Sequence, residues 1–101
     1  MAGLKNYGTV KAAAAEIERI LPGEPIGFSL AEIAEALYGE RSTRARGMAR
    51  RGLNHVERQY GKLYRYRGAD DFGQFDVEMF ALTKKALAKI RPKHPRYSDC
   101  F

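Results

Sequence analysis

The chain has 101 residues, with 18 Lys and Arg against 12 Asp and Glu, a net charge of +6 and a pI near 9.7. That length suits a single domain, and a hydrophobic share of 45% with six tyrosines and five phenylalanines argues against disorder. One cysteine, Cys100, excludes both an intramolecular disulfide and a cysteine-built zinc cage, and points to a reduced setting.

No stretch accumulates the roughly 18 apolar residues of a membrane span. The alanine run 12–15 is cut short by Glu16 and Glu18 and reads as helix rather than as a secretory signal. The expectation is a cytoplasmic protein with no membrane partner, nucleoid-associated if its host is bacterial. Charge is unevenly spread. Residues 1–40 carry three basic and six acidic side chains, net −3; residues 41–67 carry nine basic ones and only Glu57, net +8; residues 68–101 carry six and five, net +1. A solvated face usually mixes signs, and the middle third hardly does.

In chain order, residues 1–8 read as a flexible lead-in. Thr9 suits the N-cap of a first helix, in which Val10, Ala13, Ala14, Ile17, Ile20 and Leu21 recur at three- and four-residue spacing. Pro22-Gly23 stops it, and a linker follows to Gly27. Ser29 and Glu32 form a capping-box pair with Phe28 and Ile33 placed as a hydrophobic staple. Leu30, Ile33, Ala34 and Leu37 make the buried stripe of this second helix, and Gly39 suits its stop.

Ser42 then opens a longer helix to about Tyr60. Ala45, Met48, Ala49, Gly52, Leu53, Val56 and Tyr60 fall on one arc of roughly 140°. Arg44, Arg46, Gly47, Arg50, Arg51, Asn54 and Arg58 fall on the other. Each of the two helical glycines costs about 1 kcal/mol of propensity relative to alanine. Gly52 would admit a neighbouring helix, and Gly47 would let a partner approach the backbone, unless it marks a kink or late start.

After Gly61 the period changes to two over 62–67, and again over 74–80 with Phe75, Val77 and Met79 on one face, joined by a Gly/Asp loop whose tip carries Asp70-Asp71. Thr83 would cap a last helix containing Ala86, Leu87 and Ile90, ended by Arg91-Pro92. A basic tail, 91–101, completes the chain.

This order of elements resembles the winged helix-turn-helix family of DNA-binding domains over residues 9–90. FSLAEIAEALYG (28–39) is similar to the first helix of the motif, STRARGMARRGLNHVERQYGKLYRYRG (42–68) to the recognition helix and first wing strand, and FALTKKALAKI (80–90) to the step out of the second wing strand. The resemblance implies an α+β, mostly α fold: a three-helix winged helix-turn-helix with a two-stranded β-hairpin wing and a C-terminal helix. It implies that the helix 42–60 enters the major groove of duplex DNA. Thr43, Arg44, Arg46, Gly47, Arg50 and Arg51 are then contact candidates, the arginines pairing with guanine or clamping phosphate. Asn54 and Arg58 lie further along the helix, and Lys62, Arg65 and Arg67 would line the wing. The acidic Asp70-Asp71 departs from what a phosphate-contacting wing would carry.

Catalytic constellations are thin: His55, beside the arginine arc, and His94 have no acid partner at motif spacing. Asp70, Asp71, Asp76 and Glu78 read as solvated carboxylates rather than a metal site. No enzyme activity, catalytic residue, metal or cofactor is expected. The expectation is a small duplex-DNA binder, a transcriptional regulator or a phage- or plasmid-type accessory factor. A homodimer fits that role, through the first helix or segment 83–101. The alternatives are a protein-interaction module docking an acidic partner, and an RNA binder stacking bases on Tyr64 and Tyr66.

Overall fold

Helix caps set the framework in the computed structural model, which describes residues 9–93. α1 (Val10–Ile20) starts at Thr9, whose hydroxyl accepts the Ala12 amide; α2 (Leu30–Tyr38) starts at Ser29 with the full capping box and ends at Gly39 in the left-handed region. α3 (Thr43–Tyr60) is capped by Ser42 and α4 (Lys84–Ile90) by Thr83. All four N-caps were legible, because each side-chain oxygen meets the amide three residues on and needs nothing from the rest of the fold. The expectations for residues 1–8 and for the tail from 94 onward, including His94, Tyr97, Cys100 and Phe101, lie outside the described residues.

The sheet corrects the expected two-stranded hairpin. β1 (Phe28–Ser29) precedes α2, and β2 (Tyr64–Gly68) and β3 (Val77–Ala81) follow α3, in the antiparallel order β1-β3-β2. β1 adds a third strand by pairing Phe28 with Phe80 and Ser29 with Met79. The peptide between Glu24 and Pro25 is cis, and just before it Gly23 forms an isolated parallel bridge with Leu82, in which the Glu24 amide donates to the Leu82 carbonyl and the Leu82 amide to the Pro22 carbonyl. The strand expected over 74–80 begins only at Val77. Asp76 takes φ 55° and breaks the alternation, so Phe75 is 80% exposed instead of sharing a face with Val77 and Met79.

The result is an α+β domain, about half helical, in which α1 and α2 both pack on α3. Ile17, Leu21, Ile33, Leu37, Leu53, Val56, Phe80, Leu82 and Ile90 are almost wholly buried in one core, each side chain contributing about 1.5–3 kcal/mol. Gly52 has the expected role: a Cβ there would stand 2.6 Å from the Ile17 Cδ1 atom, so its absence lets α1 lie against α3. No helix among the described residues is long and apolar enough to cross a membrane.

Candidate nucleic-acid interface

α3 divides lengthwise as its sequence pattern requires. Ala45, Ala49, Gly52, Leu53 and Val56 are buried, with Met48 and Tyr60 packed against the core. Arg44, Gly47, Arg50, Arg51, Asn54 and Arg58 are exposed, and Arg46 and His55 are half-buried. Thr43, Arg46, Gly47, Arg50, Arg51 and Asn54 line one open depression of about 520 Å³, floored by Leu30 from the start of α2. Leu30, expected in the buried stripe, is thus half-buried at this floor. Arg46 and Arg50 also line a smaller cleft of about 160 Å³ that reaches Gln74, Val77, Glu78 and Phe80 on the hairpin side. His55 joins Arg58 and Gln59 at a separate groove further along α3.

Among the described residues, Arg44, Arg46, Arg50, Arg51 and Arg58 have no carboxylate at ion-pair distance. The Arg46 guanidinium donates to the Thr43 hydroxyl at 3.4 Å, and its Nε is buried with no hydrogen-bond partner. An orphaned buried donor costs about 1–3 kcal/mol, and this one lies beside an open groove. The first turn of α3 contains no acidic residue, so Arg44 and Arg46 stand at the positive end of the helix dipole, where cations are disfavoured by about 0.3–1 kcal/mol each. Gly47 faces open space, with nothing within 4 Å of where its Cβ would be. Packing therefore gives no reason for its propensity cost.

The hairpin arginines are placed differently. Arg65 binds Glu57 at 2.7 Å and Glu78 at 3.3 Å, and Arg67 binds the Asp76 carboxylate at 3.0 Å and also its carbonyl oxygen. Burial pushes the Glu57 carboxyl up, but the Leu63 amide and the Arg65 guanidinium outweigh it and hold it below its ordinary range. Lys62 is exposed and outside any ion pair among the described residues. Of the candidates named from sequence, six gather in one groove, Arg44, Arg58 and Lys62 stand exposed outside it, and Arg65 and Arg67 are tied to acids.

The acidic loop also departs from expectation. Asp70 is buried rather than solvated: its carboxylate accepts the Ser29 hydroxyl at 2.7 Å and the Phe72 and Gln74 amides at 3.0 Å each. Burial raises its carboxyl, yet these donors and nearby Arg41 pull it below the usual range. Glu32 spans the same junction, accepting the Ser29 amide on one oxygen and the Asp71 amide on the other. The hairpin loop is thereby clipped to the start of α2, and only Asp71 of the pair is exposed. No signal local to Asp70 reveals this, since its hydroxyl partner is 41 residues away.

Tyr64 and Tyr66 lie half-buried with ring centroids 5.7 Å apart, and the Tyr66 oxygen accepts the Gly27 amide. Among the described residues, no three His, Cys, Asp or Glu side chains come together as metal ligands. No protein-family model, curated protein or solved structure matches this chain.

Proposed function

We propose that the chain is a duplex-DNA-binding domain of the winged helix-turn-helix type, serving as a small transcriptional regulator or an accessory factor. The observation that carries this reading is the unpaired arginine face of α3 around the open groove at Gly47. Its arginines lack carboxylates, two of them oppose their own helix dipole, and one buried Nε wants an acceptor. Locally unfavourable choices of this kind are supported when the missing counter-charge comes from a ligand. A polyanion supplies it along the whole face.

An 18-residue helix is about 27 Å long, and a B-DNA major groove is wide enough to admit it. Thr43, Arg46, Gly47, Arg50, Arg51 and Asn54 would meet base edges and the nearer phosphates. Arg44 and Arg58 would reach phosphate further out. The order helix, short strand, helix, turn, helix, hairpin supports the family reading, with the hairpin as wing. The wing's role here is support: its arginines are already neutralised and its loop is clipped to α2. The half-buried tyrosines weigh against base stacking as the main mode.

The test is fluorescence anisotropy of a mixed duplex pool across a salt series, with single-stranded RNA and an acidic peptide as competitors. Five unpaired arginines on phosphate give a log–log salt slope of about −4 to −5. Preference for duplex over both competitors supports the proposal. No duplex binding at low salt contradicts it, and preferential capture of the acidic peptide would favour a protein-docking role instead.

A further inference from the structure

Two exposed patches outside the arginine face stand at opposite ends of the sheet. The first is the loop 69–76 at the hairpin tip, where Phe75 is 80% and Phe72 37% exposed, beside exposed Asp71. This loop holds its aromatic out. Asp70 anchors one end by three hydrogen bonds, and Asp76, the single non-glycine residue at positive φ among those described, is gripped by Arg67 at the other. Aspartate enters this left-handed region more readily than most residues, and its bond from Arg67 fixes the turn that leaves Phe75 exposed. Asp71 has no ion-pair partner among the described residues.

The second patch lies past the far end of β3. Ile26 is 70% exposed, with exposed Pro25 before it. This segment is fixed to the start of α4, because the Glu24 amide donates to the Leu82 carbonyl and the Glu24 carboxylate accepts the Lys84 amide. α4 opens on two exposed lysines, Lys84 and Lys85, with no acidic residue in its first turn. That is the wrong sign for the helix dipole, so the helix itself gives no reason for them. At the tip, Arg41 lies 3.9 Å over the Phe72 ring but is paired with Glu35 at 3.7 Å, and Arg67 is paired with Asp76, so the first patch presents aromatic rings and the unpaired carboxylate of Asp71, while the other is aliphatic and basic.

We infer that the two patches bind each other between copies: the Phe75–Asp71 tip of one molecule docks on the Ile26–Lys84–Lys85 surface of the next. The five residues of β3, about 17 Å of strand, keep the patches of one molecule apart. The contact is therefore head-to-tail, an arrangement that closes into a ring or runs on as a row. It is small and partly electrostatic, hence weak and weakened by salt. It does not depend on the DNA reading, although neighbours on one duplex would bind cooperatively through it.

Sedimentation equilibrium of the full chain without nucleic acid, over a concentration series at low and high salt, tests the inference. Variants are Phe75→Ala, Asp71→Lys, Lys84→Glu/Lys85→Glu, and the charge swap carrying all three reversals. Every substituted side chain is exposed, and glutamates suit the first turn of α4, so circular dichroism should report intact folds. Wild type is expected to associate in a salt-sensitive way, Phe75→Ala to weaken association tenfold or more, and either charge reversal alone to weaken it. The charge swap should recover wild-type strength within a few-fold. A wild type that stays monomeric at every concentration overturns the inference. So does association that Phe75→Ala leaves unchanged, or a charge swap that restores nothing.

Discussion

On α3, Arg44, Arg46, Arg50, Arg51 and Arg58 stand without carboxylates, whereas on the neighbouring hairpin Arg65 and Arg67 are each held by acids 2.7–3.3 Å away. In sequence the two sets form one continuous basic window. In space they differ because Glu57, on the last turns of α3, and Asp76 and Glu78, at the start of β3, pair with the hairpin arginines, while none stands at ion-pair distance from the helix arginines, although Glu78 shares a cleft with Arg46 and Arg50. The difference separates charges that hold the fold together from charges that the fold leaves unpaired. A run of basic residues is not yet a basic surface.

The largest expected effect removes the unpaired set. Replacing Arg44, Arg46, Arg50 and Arg51 together by alanine should lower duplex affinity about a thousandfold at roughly 0.1 M salt. Thermal unfolding should show a fold no less stable, because two cations leave the positive end of α3. A large loss of Tm would mean that these arginines are structural after all.

Next come two acids that hold the hairpin and its loop, Asp70 through the loop and Glu57 through Arg65. Asp70→Asn should cost about 1–3 kcal/mol in urea unfolding, since a buried acceptor of three hydrogen bonds is weakened, and should expose the loop 69–76 to proteolysis. Asp70 and Glu57 are both held below their ordinary ranges. Their stabilisation is therefore complete above the unfolded carboxyl range near about pH 4 and is lost as pH falls through the folded values. Wild-type Tm should fall below about pH 4, and less steeply in Asp70→Asn. Glu57→Gln should cost about 1–2 kcal/mol yet bind duplex slightly more tightly, because one negative charge is lost and Arg65 keeps only its 3.3 Å contact with Glu78.

A smaller effect distinguishes packing from function at one position. Gly47→Ala meets open space, so helix stability should rise by up to about 1 kcal/mol while duplex affinity falls. A variant both more stable and equally tight-binding would remove the functional reason for this glycine.

How far the sequence foretold this arrangement depends on the range of the interactions involved. The helices and the two-sided character of α3 were legible because caps and helical periodicity are local. Five of the six groove residues followed from the same arc, and Thr43 from the family resemblance alone. β1 was not legible: two residues show no period, and Phe28 and Ser29 become strand only by meeting Phe80 and Met79 some 50 residues on. The expected start of β3 at Gln74 is three residues early because alternation continues through Asp76 in sequence but not in backbone conformation. The pairing of Arg65 with Glu57 and Glu78, and the burial of Asp70 beneath Ser29, depend on tertiary neighbours. An antiparallel register for the hairpin would have brought Glu78 near Arg65 and Arg67; nothing short of the packed fold places Ser29 over Asp70.

The most direct measurement compares the salt slopes of duplex binding for Arg46→Ala/Arg50→Ala and Arg65→Ala/Arg67→Ala. Each variant removes two arginines, so net charge cannot account for a difference. The first pair should flatten the slope by about 2 units and the second by less than about half a unit, since its charges already have partners. Equal flattening, or the larger change in the hairpin pair, would contradict the division between the two sets of arginines.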